Sequence, residues 1–260
     1  MNLPRRPGFP ARIASLGTGA GARPSSVSRQ AAAPVAPVAT GWGMDSAAVR
    51  QRMVQRLAAD GVKSPTVLRA MGTVPRHQFV DSALVAQAYE DTSLPIGLQQ
   101  TISKPSVVAR MVELLEGAAC AQPNGLGRVL EIGTGCGYQA AVLSMVAREV
   151  YSMERLRGLH EKARANLRPL RLSNVHLLLG DGMLGYPRGG PYAGIIAAAG
   201  GESLPPAWPE QLAPGGRLVA PMMNEHGQQM LLMVDRNFDG TWTQTVLEAV
   251  HFVPLKSGVA

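Results

Sequence analysis

One junction constrains this chain more than any other feature. The apolar run Val129-Leu130-Glu131-Ile132 passes without a spacer into Gly133-Thr134-Gly135-Cys136-Gly137, and Ala140, Ala141, Leu143 and Val146 then recur at helical spacing. Three glycines in five residues let the backbone turn sharply and approach a ligand with no Cβ in the way, and a helix starting there offers unpaired N–H groups. A merely tight turn would not need so much chain entropy. The pattern predicts a strand, a ligand-cradling loop and a helix, in that order.

The same alternation continues downstream. Strands are expected at Arg128–Ile132, Glu149–Met153, Val175–Leu179, Gly194–Ala198 and Arg217–Ala220, with helices near 138–147, 155–168 and 204–212. Met230–Asp235 and Thr243–Val253 read as two further strands joined through Asn237-Phe238-Asp239-Gly240. This rhythm predicts an α/β fold with a doubly wound, mainly parallel sheet, helices on both faces and antiparallel C-terminal strands. Upstream lies an expected helical region. Val49, Met53, Val54 and Leu57 form one amphipathic stripe stopped by Gly61, Ser64-Pro65 caps a short second helix, and a third begins near Ser103-Lys104-Pro105. Between them, Ala88 to Pro105 reads as a long polar loop, which in a compact domain is usually functional.

Of the first 44 residues, 25 are Ala, Pro, Gly or Ser, so residues 1–44 are expected to be a disordered extension and 45–260 one domain, divided into a 45–127 helical and substrate-loop region and a 128–260 cofactor-binding sheet. The extension has no apolar stretch long enough for a secretory signal. Its arginine-rich, acid-free composition overlaps with organellar transit peptides, but its prolines oppose an amphipathic helix. Arg5, Arg6, Arg12, Arg23 and Arg29 account for +5 of the net charge of +7. With only +2 left, a broad phosphate-binding face is not expected, so no nucleic-acid partner is assigned. No run approaches the ~18 apolar residues of a membrane span. Cys120 and Cys136 make no disulfide framework and the five histidines are scattered, so a reducing cytoplasmic setting and no bound metal are expected. A monomer is the expectation for assembly, which the sequence itself does not disclose.

The loop's ligand is narrowed by its neighbours. Gly135-x-Gly137-x-x-Ala140 formally satisfies a dinucleotide fingerprint, yet that fingerprint's first glycine should follow the strand directly, and Gly133 holds that place. Glu131-x-Gly133-x-Gly135-x-Gly137 instead resembles the loop of S-adenosylmethionine-dependent, Rossmann-like methyltransferases. Glu154, 21 residues past Gly133, has a carboxylate that can accept both hydroxyls of a ribose, in either reading. Asp181-Gly182 after the next strand discriminates, because the methyltransferase resemblance places an acid there to accept from the adenine amino group. The resemblance implies S-adenosyl-L-methionine as the cofactor and a binding set of Glu131, Gly133, Thr134, Gly135, Cys136, Gly137, Glu154, Asp181 and Gly182.

Ala88-Tyr89-Glu90-Asp91-Thr92-Ser93-Leu94-Pro95-Ile96-Gly97 and the following Gln99-Gln100-Thr101-Ile102-Ser103-Lys104-Pro105 make the resemblance specific. With Val74-Pro75-Arg76-His77-Gln78-Phe79-Val80, Tyr151–Arg155, Gly215-Gly216-Arg217-Leu218-Val219 and Phe252-Val253-Pro254-Leu255, the chain over about 45–258 resembles the protein-L-isoaspartate (D-aspartate) O-methyltransferase family. The resemblance implies methylation of the α-carboxyl of isoaspartyl and D-aspartyl residues in damaged proteins and peptides. The ester then closes unaided to a succinimide, and the activity is a repair. A free α-carboxyl titrates near about 3.5, so the nucleophile is already ionised at neutral pH and no strong general base is needed. Ser103 matches the family's active-site serine. At the start of the 105–116 helix it is placed to hydrogen-bond an anion, or to act as an ordinary N-cap, and the two roles are compatible. Gln100, Thr101 and Ile102 belong to the same substrate loop, Cys136 reads as a small loop residue rather than a nucleophile, and His77 as structural.

Several positions leave the family pattern: Ser93 stands for a proline, Gln99 for a glycine, Lys104 for a glutamine, Ala193 for an aspartate and Ala198 for a threonine. Gln99 matters most, since a glycine there adopts positive φ at little cost and glutamine does not. Lys104 either attracts a carboxylate or points into solvent. Rival readings are a nucleotide-dependent oxidoreductase, a methyltransferase for another acceptor, and a cofactor-binding but non-catalytic member.

Overall fold

The structure, a computed structural model, describes residues 46–121 and 125–260, so the reading of 1–44 lies outside the described residues. Three helices open it: α1 (Ser46–Ala59), α2 (Pro65–Thr73) and, beyond a segment of 3₁₀ turns, α3 (Pro105–Glu116). Ser64 caps α2 as its sequence predicts, its hydroxyl accepting from Val67 N at 3.2 Å. The expected long polar loop is not without regular structure. Residues Leu94–Gly97 (β1) and Gln100–Ile102 (β2) pair as an antiparallel hairpin turned at Leu98-Gln99. The reading missed it because no glycine marks the two turn residues, the usual hairpin signal.

The remaining strands are β3 (Leu126–Ile132), β4 (Ala147–Glu154), β5 (Val175–Leu179), β6 (Tyr192–Ala197), β7 (Leu212–Met223), β8 (Gln229–Arg236) and β9 (Trp242–Ala249). They form a seven-stranded sheet in the order β5-β4-β3-β6-β7-β8-β9. The first five strands run parallel, and β8 and β9 join antiparallel. The chain builds outward from β3 through β4 to β5, then crosses back to β6 on the other side of β3. That crossover opens a crevice at the carboxyl ends of β3 and β6, the usual ligand position in such sheets.

Side chains alternate along the central strands and separate two cores. Val129, Val150, Ile196 and Val219 face α3, α4 (Tyr138–Leu143) and α5 (Arg157–Leu167), whereas Leu130, Ile132, Ile195 and Leu218 face Trp208, Tyr192 and Leu212. The second face is covered by 3₁₀ turns and the four-residue α6 (Ala207–Glu210) rather than by the 204–212 helix expected. Pro205, Pro206 and Pro209 remove amide donors there and keep the helix short. Likewise α4 stops at Leu143, because Ala147 already belongs to β4, and β9 ends at Ala249, four residues before the expected boundary. Arg217 on β7 holds the Asp235 carboxylate of β8 with two hydrogen bonds, at 2.6 and 3.0 Å, and donates to Leu114 O at 2.8 Å, fastening the far end of α3 to the sheet. Among the described residues no helix is long and apolar enough to cross a membrane.

Candidate active site

Strand β3 delivers the chain to the crevice, and the three loop glycines then take φ values of +89° (Gly133), +57° (Gly135) and +91° (Gly137). All lie where an L side chain is strained, which is the conformational reason for glycine at these places. Gly133 N donates to Met153 O at 2.8 Å and Gly135 N to a Glu154 carboxylate oxygen at 2.8 Å, so the loop is tied to the end of β4. Leu156 N donates to the other Glu154 oxygen at 2.9 Å. Two backbone amides thus fix a buried carboxylate that keeps further lone pairs for a ligand.

Beneath the loop a polar chain runs Thr134–Ser152–Glu131. Thr134 Oγ1 and Ser152 Oγ are 2.6 Å apart, and the Ser152 hydroxyl donates to Glu131 Oε2. Glu131 is fully buried, its Oε1 has no hydrogen-bond partner, and neither has Gln139 Nε2. Burial pushes the Glu131 carboxyl up to about 8, with the Ser152 and Gln139 side chains opposing the shift. A neutral, protonated Glu131 is the form this environment favours near pH 7.

Loop, hairpin and strand ends enclose a cavity of about 410 Å³. It brings together Gln100, Thr101, Ile102 and Ser103 with Gly133, Thr134, Gly135, Cys136, Glu154 and Gly182. Three expected residues stand outside its wall. Glu131 sits in the polar chain, Gly137 is the N-cap of α4, and Asp181 caps the 182–184 turn by accepting from Met183 N at 2.9 Å. The other Asp181 oxygen accepts from Gly258 N at 2.7 Å, so the C-terminal segment lies on this acid. That segment is pinned further by Arg155 Nε to Gly258 O at 3.0 Å and by Leu255 N to Gly200 O at 2.8 Å, and Val253–Lys256 form part of the cavity wall. Sequence reasoning assigned it no role, because nothing local in Phe252-Val253-Pro254-Leu255 says that the chain returns to the strand ends.

Ser103 is not the cap of α3. That position falls on Lys104, whose side chain makes no capping bond and is exposed. The orphan amide of Ser106 is taken instead by Asp91, at 2.8 Å, with the Ser106 hydroxyl on the second oxygen at 2.8 Å. The Ser103 hydroxyl therefore has no capping duty, and among the described residues it makes no hydrogen bond. Burial pushes the Cys136 thiol up to about 11, which keeps it protonated and unreactive. His77 lies outside the cavity, its Nδ1 2.7 Å from the Tyr89 hydroxyl, and burial, then Arg50, lower its pKa.

The cavity has the features a nucleoside with an amino-acid tail requires: glycines whose backbone conformation excludes side chains, a buried carboxylate at the next strand end, and a buried, unpaired Gln139 amide nitrogen in its wall. With the sheet order, these define an S-adenosylmethionine-dependent methyltransferase of Rossmann-like type. The model of the Protein-L-isoaspartate(D-aspartate) O-methyltransferase (PCMT) family matches residues 48–260, and the chain belongs to that family. A Methylibium petroleiphilum protein named protein-L-isoaspartate O-methyltransferase is 60% identical over 84% of this chain and 81% of its own length. A solved structure of a protein-L-isoaspartate O-methyltransferase superposes with TM-score 0.71 at 30% identity, covering 80% of this chain and 66% of that one. A Plasmodium falciparum structure of the same kind, in complex with S-adenosyl-L-homocysteine, shares the fold at TM-score 0.65 and 20% identity, covering 80% and 98%.

Proposed function

We propose that residues 45–260 form the catalytic domain of a protein-repair enzyme, and that its cavity divides into a donor half built on the glycine loop and an acceptor half built on the hairpin and Ser103. The activity carried by family membership is S-adenosylmethionine-dependent O-methylation of protein-L-isoaspartate. The observation that carries the division is the Ser103 hydroxyl, unpartnered and lining the same cavity as the loop.

In the donor half, Glu154 would hold ribose hydroxyls with the lone pairs its two amide partners leave, Asp181, at the edge of the cavity, would accept from the adenine amino group with the lone pairs that Met183 N and Gly258 N leave, and Gly133, Thr134, Gly135, Cys136 and Gly182 would form the backbone cradle, with Gly137 starting the helix behind it and Glu131 supporting it from below. S-adenosylmethionine, when bound, supplies an electrophilic methyl group on a sulfonium. The protein's part in the acceptor half is desolvation and alignment. Ser103 donates to the isoaspartyl carboxylate, the start of α3 favours the anion, and Gln100, Thr101 and Ile102 wall it from water. A carboxylate is ionised at neutral pH, so no base is needed, in accord with the unreactive Cys136 and with His77 outside the cavity. Holding the acceptor in line contributes several kcal/mol, of the order of well-oriented intramolecular reactions (~7 kcal/mol and above). The ester then leaves, and attack on it by the backbone amide nitrogen of the following residue expels methanol and closes a succinimide, from which hydrolysis returns some normal aspartate.

The low charge outside the first 44 residues supports a peptide acceptor rather than nucleic acid, and the two free cysteines support a reducing, cytoplasmic setting; we infer a monomer. Methyl transfer from labelled cofactor to two peptides that differ only in an isoaspartyl or aspartyl linkage tests the reading, with base-labile product counted. Strong preference for the isoaspartyl peptide is expected. Equal labelling of both, or of neither with cofactor bound, would overturn it.

A further inference from the structure

Arg76 has no exposed surface, and it makes no ion pair among the described residues. Removing a guanidinium from water costs several kcal/mol unless something offsets it, so its partners show what it is retained for. They are three carbonyls of the acceptor segment: Ala88 O at 2.7 Å from Nε, and Ser103 O at 2.7 Å and Thr92 O at 3.5 Å from Nη2. Its other face lies over the Tyr138 ring, 4.8 Å from the ring centre, at the start of the helix that follows the glycine loop. Nη1 is buried with no partner. One side chain therefore touches both halves of the site.

Each contact has a mechanical consequence. Ala88 and Thr92 bracket Tyr89-Glu90-Asp91, and Asp91 closes the first turn of α3. Fixing both ends of that stretch fixes the cap, and the direct bond to Ser103 O fixes the residue just before the helix. The planar fork suits this, since its donors hold several acceptors in one rigid frame, which an ammonium cannot. The charge is hydrogen-bonded to the backbone carbonyl of Ser103, the residue that carries the hydroxyl, and lies behind the cavity wall rather than in it. Among the described residues no carboxylate pairs with it directly, and Asp91 acts on it only at longer range, so its field is not cancelled by a paired anion and extends toward the acceptor half.

We propose that Arg76 is the positioning residue of the acceptor half: it sets the Ser103 peptide against the cofactor loop, and its buried charge, which no carboxylate pairs directly, biases that end of the cavity toward an anionic acceptor. This rests on the carboxyl-methyltransferase reading above. Arg76→Met removes fork and charge, and Arg76→Lys keeps the charge without the fork. In Arg76→Met, KM for the isoaspartyl peptide rises about tenfold and kcat falls ~30-fold, while S-adenosylhomocysteine affinity stays within about threefold of wild type. In Arg76→Lys, KM returns toward wild type and kcat stays low. A role in folding alone would lower Tm and leave KM, kcat and their split unchanged in the folded fraction. Wild-type kinetics in folded Arg76→Met, or a loss of cofactor affinity parallel to the rise in KM, would overturn the proposal. Amide exchange supplies an activity-independent readout, and Arg76→Lys serves if Arg76→Met does not fold. Amides of 102–108 are expected to exchange faster in the variants than in wild type, with those of β3–β7 unchanged, and unaltered protection at 102–108 would refute the positioning role. If the wild-type protein fails to methylate isoaspartyl peptide, the functional reading falls while the exchange result still decides the role of Arg76.

Discussion

The glycine loop and the tip of the substrate hairpin impose the same demand on the backbone and meet it in opposite ways. Gly133, Gly135 and Gly137 take positive φ with residues for which it costs little. At the hairpin tip Gly97 is at +94°, but Leu98 at +51° and Gln99 at +58° carry side chains into the left-handed region, as a two-residue turn with positive φ at both positions requires. Tertiary contacts hold that conformation. Lys162 of α5 donates to Ile96 O at 2.9 Å and pairs with Asp81 at 3.1 Å, clasping the strand just before the turn. The donor side of the cavity is shaped by residue type, and the acceptor side by its neighbours.

The largest effect expected from disturbing the donor side is a pH effect at Glu131. Its carboxyl sits at about 8 in the folded protein against 4.5 when free, because burial disfavours the charge. The folded state therefore holds the proton more tightly. This contribution to stability is complete below about pH 4.5, declines as pH rises toward about 8, and is level above it. Glu131→Gln abolishes the titration, so wild type should lose up to roughly 4 kcal/mol relative to the variant between pH 5 and 8 in denaturant titrations. Parallel curves would show that Glu131 does not titrate there. Next in size is Gly133→Ala. The added Cβ meets Ala198 at an ordinary 3.6 Å, so the cost is backbone strain at φ +89°, about 1–3 kcal/mol, expected as an S-adenosylhomocysteine affinity lower by at least about tenfold. Unchanged affinity would show that the loop tolerates a side chain and is not shaped by residue type. Smallest is Gln99→Gly, which relieves the tip. Stability should rise by about 0.5–1 kcal/mol, a Tm gain of a few degrees, and a fall would mean that Gln99 contributes a contact worth more than its strain.

Legibility followed the same line. The sheet and the glycine loop could be read because strand, turn and helix are adjacent in sequence and their signals are local: glycines at positive φ, apolar runs, the Ser64 cap. The hairpin was invisible because its turn breaks the residue preferences that would announce it. The cap of α3 was misplaced because its acceptor, Asp91, lies 15 residues away. Of the proposed cofactor residues, Asp181 shows the limit most plainly. The acid stands at a strand end as expected, but its engagement by Gly258 depends on where the last residues of the chain return. Arg76 was passed over for His77 beside it, since nothing in Val74-Pro75-Arg76-His77 tells which of the two side chains points inward.

The most direct test of the division between donor and acceptor halves is to measure kcat for the isoaspartyl peptide and S-adenosylhomocysteine affinity side by side in Ser103→Ala. The account predicts a kcat lower by ~10–100-fold with cofactor affinity within about twofold of wild type, because the hydroxyl supports neither the α3 cap nor the glycine loop. Cofactor affinity that falls together with kcat would make Ser103 a structural element of a single undivided pocket and contradict the account.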